Sequence, residues 1–399
     1  MSRIVAEAFA GKGERTLERT ARHLLLVCVT ASLLGLALIF SATRYDPDLH
    51  NLVWKQAAAL LFGLLLCLLL PLLDLRGLLR RGWWLLAVGN AALLLLLLPF
   101  GNDDGTGNRS WLALPGGVFN LQPAELVKVG FLFLLALQLE HRRQSGLNRP
   151  TSVLLLALHG LGTAGLVYAV SGDMGMTAVF LALWLGMLWS GGLHPLWLAV
   201  ILLAGVGSAA ALWSHLPDYV RLRFLVVLDH DLDPLGKGFQ QGRSLLALGS
   251  GRLTGLGYLR GTQTQSSSAS ALPARHTDFI FSAAGEEFGL LGCMILVLLL
   301  TSVLFLCVRL ARTAGDPIFR DAAMGAATLF GVQTVLNLGM CLYAAPVVGV
   351  TLPFFSYGGS SLISSFLLVG VLRGLAHKTV PGGYTGSIRE GKRRHPHVS

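Results

Sequence analysis

Ten stretches of the chain, roughly 23–42, 52–73, 83–100, 123–139, 151–170, 174–190, 194–213, 279–308, 322–345 and 358–376, are almost wholly apolar. Most approach or exceed the roughly 20 residues that a helix needs to cross a bilayer. In lipid a segment must satisfy its own backbone polar groups, so runs of this kind become helices. The fold class implied is an all-α polytopic membrane protein with ten transmembrane helices. Only 13% of the 399 residues are charged, which excludes a water-soluble domain of this size.

Charge then orients the chain. A net charge of +10 could suggest nucleic acid, but its placement argues against that. Twenty of the 31 Lys and Arg lie in residues 3–22, 76–81, 142–149, 309–320 and 373–394, which share one side of the membrane if the spans alternate. Seven more fall in a long 214–278 loop between spans 7 and 8, and the short loops on that opposite side carry almost none. Excess Lys and Arg mark the cytoplasmic side. The expected topology is N-in/C-in, with a basic cytoplasmic segment 1–22, a membrane domain 23–376 whose 214–278 loop is extracytoplasmic, and a basic cytoplasmic tail 377–399. Ser41-Ala42-Thr43-Arg44 after the first span is no small-x-small cleavage site, so that span is expected to stay as an anchor. Cys28, Cys67, Cys293, Cys307 and Cys341 all fall inside apolar spans without metal or redox spacing and read as packing residues.

Polar residues next to these spans carry the chemistry. Arg275, His276, Asp278, Glu286 and Glu287 crowd the entry to the eighth span. A carboxylate at a low-dielectric boundary is expensive, and such charges are functional candidates by default; Thr277 or Asp278 could equally cap the helix. The turn-rich segment after span three presents Arg109 and Trp111 together. A Trp there can be a membrane anchor, and the Arg could hold phosphate or lipid headgroups. Glu125 and Lys128, three residues apart, can pair on one helix face. Asp173, in Ser171-Gly172-Asp173-Met174-Gly175, suggests a tight turn or broken helix and a partner for Lys128. In the long loop, 217–225 reads as an amphipathic helix lying on the membrane, and 262–270 as a polar, flexible tract. Gly255-Leu256-Gly257-Tyr258-Leu259-Arg260 misses the third glycine of a dinucleotide fingerprint and follows no strand, so that reading is rejected. Pro346, Pro353, Gly358 and Gly359 forbid an uninterrupted helix before the last span. Ser356, Tyr357, Gly358, Gly359 and Ser360 should then line a cavity or approach another segment closely.

Four stretches in this order resemble the SEDS family, the RodA/FtsW membrane glycosyltransferases that polymerise peptidoglycan. They are Asn108-Arg109-Ser110-Trp111 with 122–128; 172–175; Leu272-Pro273 with 276–281 and 285–289; and 346–361. The resemblance implies a ten-helix enzyme that uses lipid II at the outer face of the bacterial cytoplasmic membrane. It places the family's essential aspartate at Asp278, its loop Arg and Trp at Arg109 and Trp111, and its buried pair at Glu125 and Lys128. Two departures stand out: Ser171-Gly172 replaces Gln-Pro, and Ala274 replaces Glu, which weakens any second-carboxylate role in that loop. Residues 261–265 and 346–350 look more like the RodA (elongation) branch than the FtsW (division) branch.

On this resemblance Asp278 serves as general base, while Arg109, Arg243, Arg275, His276 and Trp111 are the substrate-binding candidates. Glu125, Lys128, Asp173, Glu286 and Glu287 are buried structural charges. A divalent cation, Mg or Mn, could help the departing diphosphate, although no dedicated metal cluster is visible. Two rival classes remain open: a lipid-linked-sugar flippase built on the discontinuous segments, and a non-catalytic scaffold for a wall transpeptidase. Crosslinking needs a second chain. The resemblance points to a class B penicillin-binding protein and to cell-shape or division machinery. The partner's membrane helix is expected on the small residues Ala322, Ala323, Gly325, Ala326, Ala327 and Gly331.

Overall fold

The computed structural model describes residues 2–102, 108–113, 120–236, 238–266, 268 and 271–377; the tail expected at 377–399 lies outside them beyond its first residue. In chain order come α1 (Ser2–Thr43), α2 (Leu52–Leu69), α3 (Leu75–Leu95), α4 (Leu97–Phe100), β1 (Gly101–Asn102), β2 (Trp111–Ala113) and β3 (Asn120–Leu121). Then follow α5 (Pro123–Ser145), α6 (Pro150–Ser171), α7 (Met174–Ser190), α8 (Pro195–Leu212), α9 (Asp218–Leu228) and α10 (Phe239–Gly251). Last come α11 (Ile280–Thr313), α12 (Pro317–Cys341) and α13 (Gly359–His377). Proline opens α5, α6, α8 and α12, in the first turn where its missing N–H costs nothing. Asp74, Asp173 and Asp316 cap α3, α7 and α12 by accepting the N–H of Gly77, Met176 and Ile318.

The protein is a polytopic, mostly helical membrane protein. Eight of its described helical segments are long and apolar enough to cross a bilayer, namely α1, α2, α3 continued by α4, α6, α8, α11, α12 and α13. The other two apolar stretches lie on α5, which carries Glu125, Lys128, Glu140, Arg142 and Arg143, and on the 17-residue α7. α11 packs against α1, α10 and α12, α13 packs against α2, and α5 sits among α3, α12 and α13. α8 buries none of its side chains.

Several details differ from the sequence expectation. The turn-rich loop after span three pairs into a small antiparallel sheet in the order β1-β2-β3. α1 runs unbroken through residue 22. Within the long loop, 239–251 is a helix docked on the bundle, with Gln241, Ser244, Ala247 and Gly251 on its buried stripe. These side chains are small or polar, so their helical spacing carried no hydrophobic signal. The Ser244 hydroxyl meets Ser282 (2.6 Å) and donates to the Cys341 carbonyl (2.7 Å). α11 breaks at Gly289, whose φ of 65° admits glycine and whose missing side chain lets the 253–255 backbone approach. The Glu286 and Glu287 carbonyls accept the N–H groups of Leu256 and Gly257 there. The small-residue stripe of α12 packs internally: Ala322, Ala323 and Ala326 are fully buried and Gly325 faces Leu132 and Met187. Ala327 and Gly331 are half-buried, so most of the stripe, though not all of it, is closed to docking.

Candidate active site

Three interruptions in helical structure meet at one end of the bundle and enclose a cavity of about 700 Å³. The first is the α6–α7 corner. Gly172 closes α6 in the left-handed conformation (φ 69°), and Asp173 starts α7. Gly175 lets the Val348 carbonyl approach where any side chain would collide with it. The second is the 274–279 turn before α11. The third is the 342–358 segment between α12 and α13, with Tyr343, Gly349 and Phe354 at positive φ.

The third interruption holds the second by its backbone. The His276 carbonyl accepts from the Tyr357 N–H (2.8 Å) and the Thr277 carbonyl from the Ser356 hydroxyl (2.6 Å). Asn337 of α12 donates to both the Asp278 and Val350 carbonyls, each at 2.8 Å. Gln56 of α2 clamps the far side, donating to the Ser356 carbonyl and accepting from the Gly358 N–H, each at 3.1 Å. These bonds fix the main chain of Asp278 and leave its side chain to the cavity.

Asp278 does not cap α11; Phe279 holds that position and no side chain caps it. Among the described residues its carboxylate accepts no hydrogen bond. It lies beside Gly349 and faces the cavity. Burial, with Asp173 adding like charge, pushes its pKa up to about 6. Asp173 faces the same cavity, accepting from the Gln122 amide (3.2 Å) and the Met176 N–H (2.9 Å). Burial and the Glu125 charge raise its pKa too. Asp173 is not the partner of Lys128. The buried Lys128 ammonium pairs with Glu125, three residues away on the same face of α5, and Glu125 also accepts from Ser364 (3.0 Å).

Trp111, Tyr357, Gly358 and Gly359 line the cavity, as the sequence suggested. Ser356 and Ser360 do not; they are buried and spent on backbone, Ser360 accepting from the Gln122 N–H (3.0 Å). Arg109 is exposed at the edge, its N–H bound to the Ser171 carbonyl (3.0 Å). Arg275 is buried behind the site and donates to the carbonyls of Ala42, Gln263 and Ser266. His276 packs against the Tyr357 ring with an Nδ1 unpartnered among the described residues, and burial lowers its pKa to about 4, the Arg275 charge adding to this. Arg243 lies over the Phe239 ring on α10. The structure therefore does not bring Arg275, His276 or Arg243 to the cavity lining.

It brings Lys55 instead. This residue sits in the first turn of α2, next to the Gln56 clamp, and is the one cation among the described lining residues. Its signal was present: it is the single charge in the second apolar stretch. Glu286 and Glu287 lie outside the cavity. Glu286 accepts from Thr262, the Gln263 N–H and both the N–H and hydroxyl of Thr264; Glu287 accepts from Ser41 and Gln265. Of the tract expected to be flexible at 262–270, residues 262–266 are thus pinned; 267, 269 and 270 lie outside the described residues. Among the described residues no three His, Cys, Asp or Glu side chains converge as a ligand set. The described residues alone therefore build no Mg or Mn cage, and no step below runs through a metal.

Comparison with known proteins places this arrangement. The family described as cell cycle protein, spanning FtsW, RodA and SpoVE, matches residues 21–380. A probable peptidoglycan glycosyltransferase FtsW from Geobacter metallireducens is 32% identical over 380 residues, covering 90% of this chain and 95% of the relative. Stage V sporulation protein E of Bacillus subtilis is 30% identical, covering 90% and 97%. A chain from a peptidoglycan synthase complex that coordinates polymerisation and crosslinking superposes with a TM-score of 0.73 at 32% identity, over 89% of this chain and 96% of that one. The rod shape determining protein RodA of Thermus thermophilus gives 0.65 at 30% identity, over 89% and 95%. These names span both the elongation and the division branches.

Proposed function

The chain belongs to the FtsW, RodA and SpoVE family and is a peptidoglycan glycosyltransferase, and from that premise we propose that it polymerises lipid II at the outer face of the cytoplasmic membrane, in elongation or division. On this reading α5 and α7 cross the membrane beside the eight long apolar helices, ten spans in all. The basic residues of 76–81, 142–149 and 309–320 put the opposite end of the bundle, and both termini, in the cytoplasm.

One observation carries the mechanism: Asp278, unpartnered among the described residues and raised toward neutrality, shares a cavity with Lys55. Asp278 takes the proton from the acceptor sugar hydroxyl. The freed oxygen attacks the anomeric carbon of the donor from the face opposite its diphosphate, inverting the configuration. The carbon–oxygen bond to the diphosphate breaks, and its electron pair leaves with the lipid diphosphate. Lys55 meets that departing charge, with the exposed Arg109 at the rim. Diphosphate is a good leaving group, so no covalent enzyme intermediate is required. General-base help of this kind is worth ~10²–10⁴-fold. Crosslinking falls to a partner, a class B penicillin-binding protein whose outer domain meets the 214–278 loop.

Purified protein in detergent, given lipid II alone, is expected to make glycan polymer, and Asp278→Asn none. A flippase has no second compartment in detergent and a scaffold has no chemistry, so wild type without product would overturn the proposal.

A further inference from the structure

At the other end of the bundle, between α3, α5 and α6, lies a second cavity of about 700 Å³ that plays no part in the chemistry above. Its charge is graded along its depth. Arg80, Glu140, His141, Arg142 and Gln144 form the mouth. Ala87 and Leu134 lie deeper; Leu134 is ten residues before Gln144 on α5, which is about 15 Å along the helix axis at 1.5 Å per residue. The polar pair partway in is already partnered, since His159 and Gln138 bind each other at 2.9 Å and Gln138 donates to the Leu155 carbonyl (3.3 Å).

The charges at the mouth do not cancel. Glu140 is paired to Arg80 at 2.7 Å. Among the described residues Arg142 has no ion pair, and its Nε is buried without a hydrogen-bond partner. Its neighbour Arg143 is fully used, on Asp321 and the Gly191 carbonyl. A buried guanidinium N–H left unsatisfied calls for an anionic acceptor. The surroundings say where that acceptor comes from. Trp83, at the cavity wall, is 54% exposed, and Leu154 and Leu158 on the outer surface of α6 are 69% and 68% exposed. Exposed apolar side chains on membrane-crossing helices face lipid, so the cavity opens sideways into the bilayer.

We infer that this cavity is a binding site for an anionic phospholipid, with the phosphodiester at Arg142 and an acyl chain running along Trp83, Ala87 and Leu134. The site lies at the end of the bundle rich in Arg, where a negative membrane surface attracts basic residues. It needs none of the catalytic residues, and it stands whether or not Asp278 acts as the base.

The test is native mass spectrometry of the full chain released from detergent and titrated with dioleoyl phosphatidylglycerol or with dioleoyl phosphatidylcholine. The wild type is expected to retain the glycerol lipid preferentially. Arg142→Gln should weaken that retention about fivefold, the fold-change for loss of one basic group near a membrane surface. Gln144→Glu, an exposed substitution that sets a carboxylate at the mouth, should weaken it at least as much, and Ala87→Trp should abolish it by filling the acyl channel. Monodisperse elution and an unchanged melting temperature in lipid-free detergent identify the folded variants. If Ala87→Trp fails that check, the two mouth variants decide. Equal retention of both lipids, displacement of the bound lipid by millimolar inorganic phosphate, or wild-type retention by both mouth variants would each overturn the inference.

Discussion

Asp278 and Glu286 stand eight residues apart in one stretch of chain, both carboxylates withdrawn from bulk water, and the structure treats them in opposite ways. Glu286 accepts four hydrogen bonds from Thr262, Gln263 and Thr264, and Glu287 beside it accepts from Ser41 and Gln265. Asp278 accepts none among the described residues and faces a cavity. A saturated carboxylate is stable as an ion and organises what donates to it; here it folds the 262–266 tract onto α11. An unsaturated carboxylate keeps a high proton affinity and a free lone pair, which is what proton abstraction demands. Burial alone does not separate a structural acid from a reactive one. The donors around it do.

The largest effect should fall on Asp278. Asp278→Asn is expected to cut polymerisation of purified lipid II by at least ~10²-fold while leaving membrane yield unchanged. Because its pKa is raised on folding, the ionised carboxylate costs stability above its unfolded pKa, so the Asn variant should melt no lower than wild type at pH 7. An active Asp278→Asn protein would remove the distinction between the two acids. Glu286→Ala should do the reverse. It strands four donors and should lower the melting temperature by several degrees, since a hydrogen bond to a charged group is worth roughly 1.5–3 kcal/mol. Unchanged melting would mean that water replaces the carboxylate. Lys128→Ala belongs with Glu286. It leaves Glu125 uncompensated in the bundle, a loss of ~3–5 kcal/mol for a buried pair, to be read from folded yield and thermal melting.

Lys55 tests the cavity side more gently. Lys55→Gln is expected to slow polymerisation by about 10²-fold, as for removal of one group that stabilises developing negative charge. Arg109→Gln, at the exposed rim, should act mainly on KM. Equal loss of kcat in both variants would put Arg109 on the leaving group.

The sequence carried the helices well, because runs of about 20 apolar residues leave the backbone no alternative in lipid. It also carried two of the three interruptions, since Gly172, Pro346 and Pro353 are poor fits to helix interiors. It did not carry what the interruptions do to each other. That 276–278 lies on 350–357 depends on backbone bonds, and those leave no trace in side-chain pattern. The same limit hid α10, whose buried stripe is Gln, Ser, Ala and Gly. It also let Arg275 pass for a substrate cation, because a guanidinium that binds three carbonyls and one that binds phosphate look alike in sequence. Lys55 was legible as a lone charge in an apolar run, but its meaning came only with the cavity it lines.

The smallest effect is a shift along the pH axis, and it isolates the coupling between the two cavity acids. Asp278 acts as the base only when ionised, so polymerisation should rise with pH through an apparent midpoint near 6 and level off above it. Desolvation is the larger cause of that raised value and is unchanged by a distant substitution. The second cause is the negative charge of Asp173. Asp173→Asn removes that charge and keeps the cap, because Asn accepts the Met176 N–H as well as Asp does. Proton loss from Asp278 becomes easier, and the acidic limb should move to lower pH with the plateau rate little changed. A limb that stays in place would mean that the two carboxylates do not sense each other across the cavity. Loss of the acidic limb altogether would mean that Asp173, not Asp278, is the group being titrated.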